Sequence, residues 1–157
     1  MVFVVLAVIG LILGLLQVAI QKQPRTKQRT ADVLLLYLFT FPIGLGGLVG
    51  FIGHTMRAGP VAASISWPAG NPSQYEVAVA NLSFGILGIL CLRLRDDFWT
   101  ATAIGWSVFI LGAAGVHLHQ IHIGRPYAPE NAGAILYFNI LAPAVVLALL
   151  MVRKAKN

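Results

Sequence analysis

Apolar residues fall into long uninterrupted runs separated by short polar stretches. Val2 to Ile20 is continuous apolar sequence, with Gln17 the polar exception near its end. At 1.5 Å of rise per residue, a run of about 19 residues covers the hydrocarbon thickness of a bilayer. Four further runs follow, from about Ala31 to His54, Tyr75 to Leu92, Phe98 to His122 and Ala132 to Val152. The pattern predicts an all-α polytopic membrane helix bundle, with five transmembrane helices in one membrane domain over 1–157. The first run has neither a positively charged leader nor a small-residue cleavage site behind it. It therefore reads as a retained helix rather than a signal peptide.

The runs differ in how their helices should pack. Pro42 predicts a bend in the second. Gly44, Gly46, Gly47, Gly50 and Gly53 make its second half thin, with Gly46 and Gly50 the expected contact positions. On the third, Asn81, Gly85 and Gly88 recur at i, i+4 and i+7 and share one face, suited to a tight contact with Asn81 bonded across it. Gly10 and Gly14 offer a smaller version of the same device. Thr30 or Asp32 is expected to cap the second helix. The stretch from Arg57 to Gln74 is long for a structureless loop. A short interfacial helix is predicted over 60–66, with Trp67 at headgroup level.

Composition agrees: 10% of the 157 residues are charged and mean hydropathy is +0.82, whereas a soluble domain carries about a quarter charged residues. The net charge of +6 sits beside the apolar runs and reads as topology rather than nucleic-acid binding. Lys22, Arg25, Lys27 and Arg29, then Arg93 and Arg95, then Arg153, Lys154 and Lys156 all fall on one side, against Arg57 and Arg125 on the other. The positive-inside rule then places the N-terminus outside and the C-terminus in the cytoplasm of a multi-pass cell-membrane protein. Cys91 is the single cysteine, which excludes an internal disulfide.

On this topology the four histidines, with Glu76 and Glu130, share the outer end. Ionisable groups at membrane depth are costly and point to function. The expected polar cluster is His54, Glu76, Asn81, His117 and Asn139, with Glu76 shielded from lipid by the 57–74 segment or by an imidazole of His54 or His117. Candidate metal ligands are His54, Glu76, His117, His119 and His122. However, His117 points away from the i, i+3 pair His119 and His122, and no paired ExxH or HExxH signature occurs. No nucleophile elbow, phosphate loop or dinucleotide fingerprint is present, so no catalytic residue is assigned.

The stretches Ser-Ile-Ser-Trp-Pro-Ala-Gly-Asn-Pro-Ser-Gln-Tyr-Glu-Val-Ala-Val-Ala-Asn-Leu (64–82), Phe-Trp-Thr-Ala-Thr-Ala-Ile-Gly (98–105) and Asn-Ala-Gly-Ala-Ile-Leu-Tyr (131–137) resemble an uncharacterised prokaryotic family of small multi-pass membrane proteins carrying a domain of unknown function. The resemblance covers about Ala31 to Leu150, with Ser73 where that family often has Phe. In size and layout the chain is distantly similar to DoxX-like quinone-linked membrane proteins. The resemblance implies a fold and no activity.

Short loops and glycine-rich faces leave little room for a soluble catalytic site. The first functional expectation is therefore a non-catalytic structural or accessory subunit, in contact with the lipid bilayer and with other membrane subunits or its own copies. A redox-linked protein holding a quinone, haem or metal at the outer polar end is the second. A small pore or carrier using Glu76 and Asn81 is the third.

Overall fold

Helix α1 (Val2–Ile20) is apolar on all sides, with a hydropathy of 2.9, yet only 11% of it is buried. Ile12, Leu15 and Ile20 are 52%, 54% and 78% exposed. Apolar surface of this extent is stable only against lipid or a partner. The computed structural model describes residues 1–68, 70–123 and 131–155, and these form an all-helical bundle without strands. Four helices are long and apolar enough to cross a membrane: α1, α2 (Lys27–Met56), α5 (Asp97–His122) and α6 (Ala134–Lys154). Between α2 and α5 lie the short α3 (Ala58–Ser64) and the 18-residue α4 (Ser73–Leu90).

α2 starts earlier than the hydrophobic pattern implies. Thr26, rather than Thr30 or Asp32, caps it, its hydroxyl accepting from Arg29 N at 3.2 Å. Asp32 is drawn instead into an ion pair with Arg153. Pro42 lacks an N–H and its ring crowds the preceding turn. The helix answers by widening to π geometry over Phe39–Leu45 and then resuming. The 57–74 stretch is not structureless. α3 occupies 58–64, Trp67 N donates to Ala62 O at 2.8 Å, and Gln74 Nε2 donates to Ala58 O at 2.8 Å, which closes the segment on itself.

The glycine-rich half of α2 lies directly on α4. A Cβ placed on Gly47 would stand 2.5 Å from Asn81 O and from Gly85 N; one on Gly88 would stand 2.6 Å from Gly44 N and Phe39 O. Such backbone-to-backbone approach is open only to glycine. Of the expected contact glycines, Gly50, Gly85 and Gly88 belong to this seam, with Gly50 against the Asn81 side chain. Gly46 does not: it faces α1, where a Cβ would meet Phe3 Cδ1 at 3.2 Å. Gly10 and Gly14 seat α1 on Tyr37, Phe41 and Leu34 of α2.

The first half of α2 packs on α6, and α6 packs on α5. Leu35, Phe39, Ile43, Trp99, Trp106 and Phe138 form the centre of the core, with Phe39 and Trp99 rings 5.1 Å apart. α4 and α5 make few contacts despite their short connection. The gap between them is the geometric origin of the site.

Candidate functional site

A cavity of about 660 Å³ fills that gap at the end of the bundle opposite Arg153. Its wall is mostly apolar: Val2 and Phe3 of α1, Val61 of α3, Val77 of α4, Val108 to Val116 of α5, and Ile135 and Phe138 of α6. On its α5 side the lining residues Val108 and Val116 are 68% and 45% exposed, so this edge of the cavity is apolar rather than charged. A Cβ on Gly112, which also lines the cavity, would meet nothing within 4 Å.

Ser64 and Trp67 bring polar groups to this wall, together with four members of the expected cluster: His54, Asn81, His117 and Asn139. Asn139 is 4% exposed, and its amide makes no hydrogen bond among the described residues. Asn81 is 8% exposed and partly engaged, its Nδ2 donating to Val77 O at 2.8 Å. His54 Nδ1 is buried without a partner among the described residues.

His117 is held by a network that sequence reasoning missed. The indole Nε1 of Trp67 donates to Gln120 Oε1 at 2.5 Å. Gln120 Nε2 then donates to Ile65 O at 2.9 Å and meets the Asn131 amide, 2.9 Å from its Oδ1 and 2.8 Å from its Nδ2. Asn131 Nδ2 donates to Ile65 O at 3.3 Å, and His117 Nδ1 lies 3.0 Å from Asn131 Oδ1. Gln120 and Asn131 are 8% and 0% exposed. The available signal was Gln120 at i+3 from His117, one helical face. Asn131 is brought in from just ahead of α6, which no helical period announces.

Glu76 is not part of the cluster. It is exposed and makes no hydrogen bond or ion pair among the described residues, so neither His54, His117 nor the 57–74 segment covers it. The reason is helical phase. Asn81, five residues on, lies roughly 140° around the helix, so when Asn81 faces α2, Glu76 faces outward. Its place is the first turn of α4, where a carboxylate complements the positive end of the helix. His119 and His122 are also exposed, and no three His, Cys, Asp or Glu side chains among the described residues come together as a metal site. Of the five candidate metal ligands, His54 and His117 line the cavity, while Glu76, His119 and His122 are exposed. Arg125 and Glu130 lie outside the described residues.

Concave, largely apolar sites of 300–1,000 Å³ with a few placed polar groups are typical of small-molecule binding. This cavity matches that description in volume, wall and the sparing use of amides and imidazoles. No curated protein and no solved structure matches the chain. The family likeness is wider than 31–150, since it takes in α1 as well: the chain belongs to DUF6790, a family of unknown function whose model matches residues 1–157.

Proposed function

We propose that this protein is a membrane-embedded binding protein that holds a neutral lipophilic molecule between α4 and α5. One observation carries the reading: the amide of Asn139, 4% exposed and without a partner among the described residues, lines a cavity of about 660 Å³. A ligand oxygen or nitrogen would satisfy that amide. The apolar α5 edge favours uptake of the ligand from lipid. A quinone, as in the redox expectation, is one member of this ligand class. The accessory-subunit reading leaves the cavity without a role. The pore reading loses Glu76, which lies on another face of α4 from Asn81.

The test uses the fluorescence of Trp67, which lines the cavity. A bromine-bearing lipophile such as 2,3-dibromododecan-1-ol should quench it saturably in detergent, and Trp67→Phe should remove that component. Gly112→Phe places a ring in open space within the cavity, so it should raise the half-saturating concentration about tenfold or more. The melting temperature should stay within about 2 °C of wild type, since nothing is overpacked. Unchanged quenching in Gly112→Phe would dismiss the cavity as the binding site.

In the same reading, all five long helices, α4 included, cross the cell membrane with the N-terminus outside. The cavity then lies toward the outer leaflet. Cysteine placed at Lys27 should react with an impermeant thiol reagent only after permeabilisation, and cysteine placed at His119 should react in intact cells. The reverse pattern inverts the topology. Native Cys91 is buried and gives little background.

A further inference from the structure

We infer that the end of the bundle around Arg153 carries a second site, a cleft that binds the phosphate head group of an anionic phospholipid. The cleft holds about 320 Å³ between the start of α2 and the end of α6. Arg25, Lys27 and Thr30 supply its polar lining, and Ala31, Leu149 and Val152 its apolar lining. Nearby, Gln28 Nε2 donates to Ala155 O at 3.4 Å, which ties the two helix ends together. The positive charge here is not neutralised. Of the acidic groups at this end, Asp32 and Asp96 are both bonded to Arg153. Lys22, Arg25, Lys27, Arg29 and Lys154 form no ion pair with any described residue. Arg25 donates from Nη2 to Ala19 O at 2.7 Å, which leaves the rest of its fork open. The hydroxyls of Thr40, Thr55 and Thr100 donate to the carbonyl four residues back, whereas that of Thr30 makes no hydrogen bond among the described residues. The first turn of α2 lies in the same lining, so the positive end of that helix adds to the side-chain charge.

Topology accounts for basic residues at this end, but not for their lining a cleft whose other side is aliphatic. A soluble phosphate has no use for Leu149 and Val152, and a neutral lipid has none for Arg25 and Lys27. A phospholipid with net negative charge uses both. Its phosphate meets the two cations and the Thr30 hydroxyl, and its chains follow the apolar side. Val152, Val145 and Leu141 recur at helical spacing on α6 and are 38%, 41% and 60% exposed. They form an apolar track that leads from the cleft along the helix. Arg153 and Lys154 close α6, which sets the cleft at head-group depth. This site is independent of the α4–α5 cavity, which lies at the other end of the bundle.

Native mass spectrometry of the detergent-solubilised protein compares dioleoylphosphatidylglycerol with dioleoylphosphatidylcholine, which has the same chains and no net charge. Wild type should hold the anionic lipid about tenfold more tightly, since each basic residue at a head group contributes roughly a fivefold gain. Arg25→Gln/Lys27→Gln should reduce that preference to about twofold or less. Val152→Asp puts a carboxylate in the cleft without touching a cation and should do the same, which covers a double variant that fails to fold. Lys22→Gln/Lys154→Gln removes equal charge from the same end but outside the cleft lining, and should keep about half of the preference or more. Equal loss in the two double variants would reduce the site to diffuse surface charge and overturn the cleft. Absence of any preference in wild type would overturn it as well. The head group without chains, sn-glycerol 3-phosphate, should not displace the lipid at equal concentration. Displacement there would make this a site for soluble phosphates and overturn the lipid as its occupant. None of these outcomes alters the quenching by lipophiles expected at the other end.

Discussion

Gly47→Leu is expected to lower the melting temperature of the purified protein by roughly 6–12 °C, corresponding to about 3 kcal/mol or more. The argument is steric. The first added carbon would lie 2.5 Å from Asn81 O and Gly85 N and 2.6 Å from Gly85 Cα, all backbone atoms of α4. No side chain can rotate away to make room, so α2 and α4 must separate. Separation also loosens the fit at Gly50, Gly85 and Gly88 along the same seam, because close-packed helices give way as units. Gly46→Ala is the control. Its new carbon meets the ring of Phe3 at 3.2 Å, a side chain near the end of α1, and the expected loss is below about 1 kcal/mol. Thermal unfolding followed by circular dichroism in one detergent ranks the two. If Gly47→Leu melts with Gly46→Ala, the α2–α4 seam is not as close as described.

Arg153→Ala is the second replacement expected to be severe. Near the C-terminal end of α6, the Arg153 guanidinium donates from Nε to Asp32 Oδ1 at 2.5 Å and from Nη2 to Asp96 Oδ1 at 2.8 Å. It also lies 5.0 Å from the centroid of the Trp99 ring, as does that of Arg95. One side chain thus ties α2, the α4–α5 turn and α6 together over a fully buried indole, whose own N–H is held by Cys91 O at 2.9 Å. Asp96 sits at φ 56, an uncommon conformation for a residue with a side chain, and the bond to Arg153 helps to hold it there. Water weakens part of this: the Asp96 side chain is 86% exposed and that of Asp32 39%. The bond to Asp32 and the contact with Trp99 dominate, and the expected loss is roughly 2 kcal/mol. Arg153→Lys keeps the charge and loses the planar fork, so it should recover less than half. A melting temperature unchanged in Arg153→Ala would show that the three helix ends are held by the bilayer alone. The cavity lies at the other end of the bundle, so Arg153→Ala should weaken probe binding far less than Gly112→Phe does.

The helical character of the chain was legible in the sequence alone. Long apolar runs bounded by charge determine helices in lipid, because backbone groups there have no water to turn to. The runs at 2–20, 98–122 and 132–152 agree with α1, α5 and α6 to within two residues at each end. The small-residue faces were legible for the same local reason, and Gly50, Gly85 and Gly88 do form the tight seam. His54, Asn81, His117 and Asn139 were legible as polar groups at one end of apolar runs, and they line one cavity.

Tertiary structure decided the rest. Glu76 drew notice because it opens an apolar run, yet being near the cluster along the chain did not place it there. Helical phase relative to α2 turned it outward. Gly47, one residue from the expected Gly46, carries the closest contact because the π turn at Pro42 sets the rotation of the second half of α2. His117, Trp67, Ile65, Gln120 and Asn131 meet only because the 57–68 segment folds back over the ends of α5 and α6. By itself the sequence determined which segments are helices and which of their ends are polar, since these follow from local periodicity and the cost of polar groups in lipid. The cavity itself came from the separation of α4 and α5, a non-local balance: α4 is drawn to α2 by backbone contact and α5 to α6 by its core aromatics.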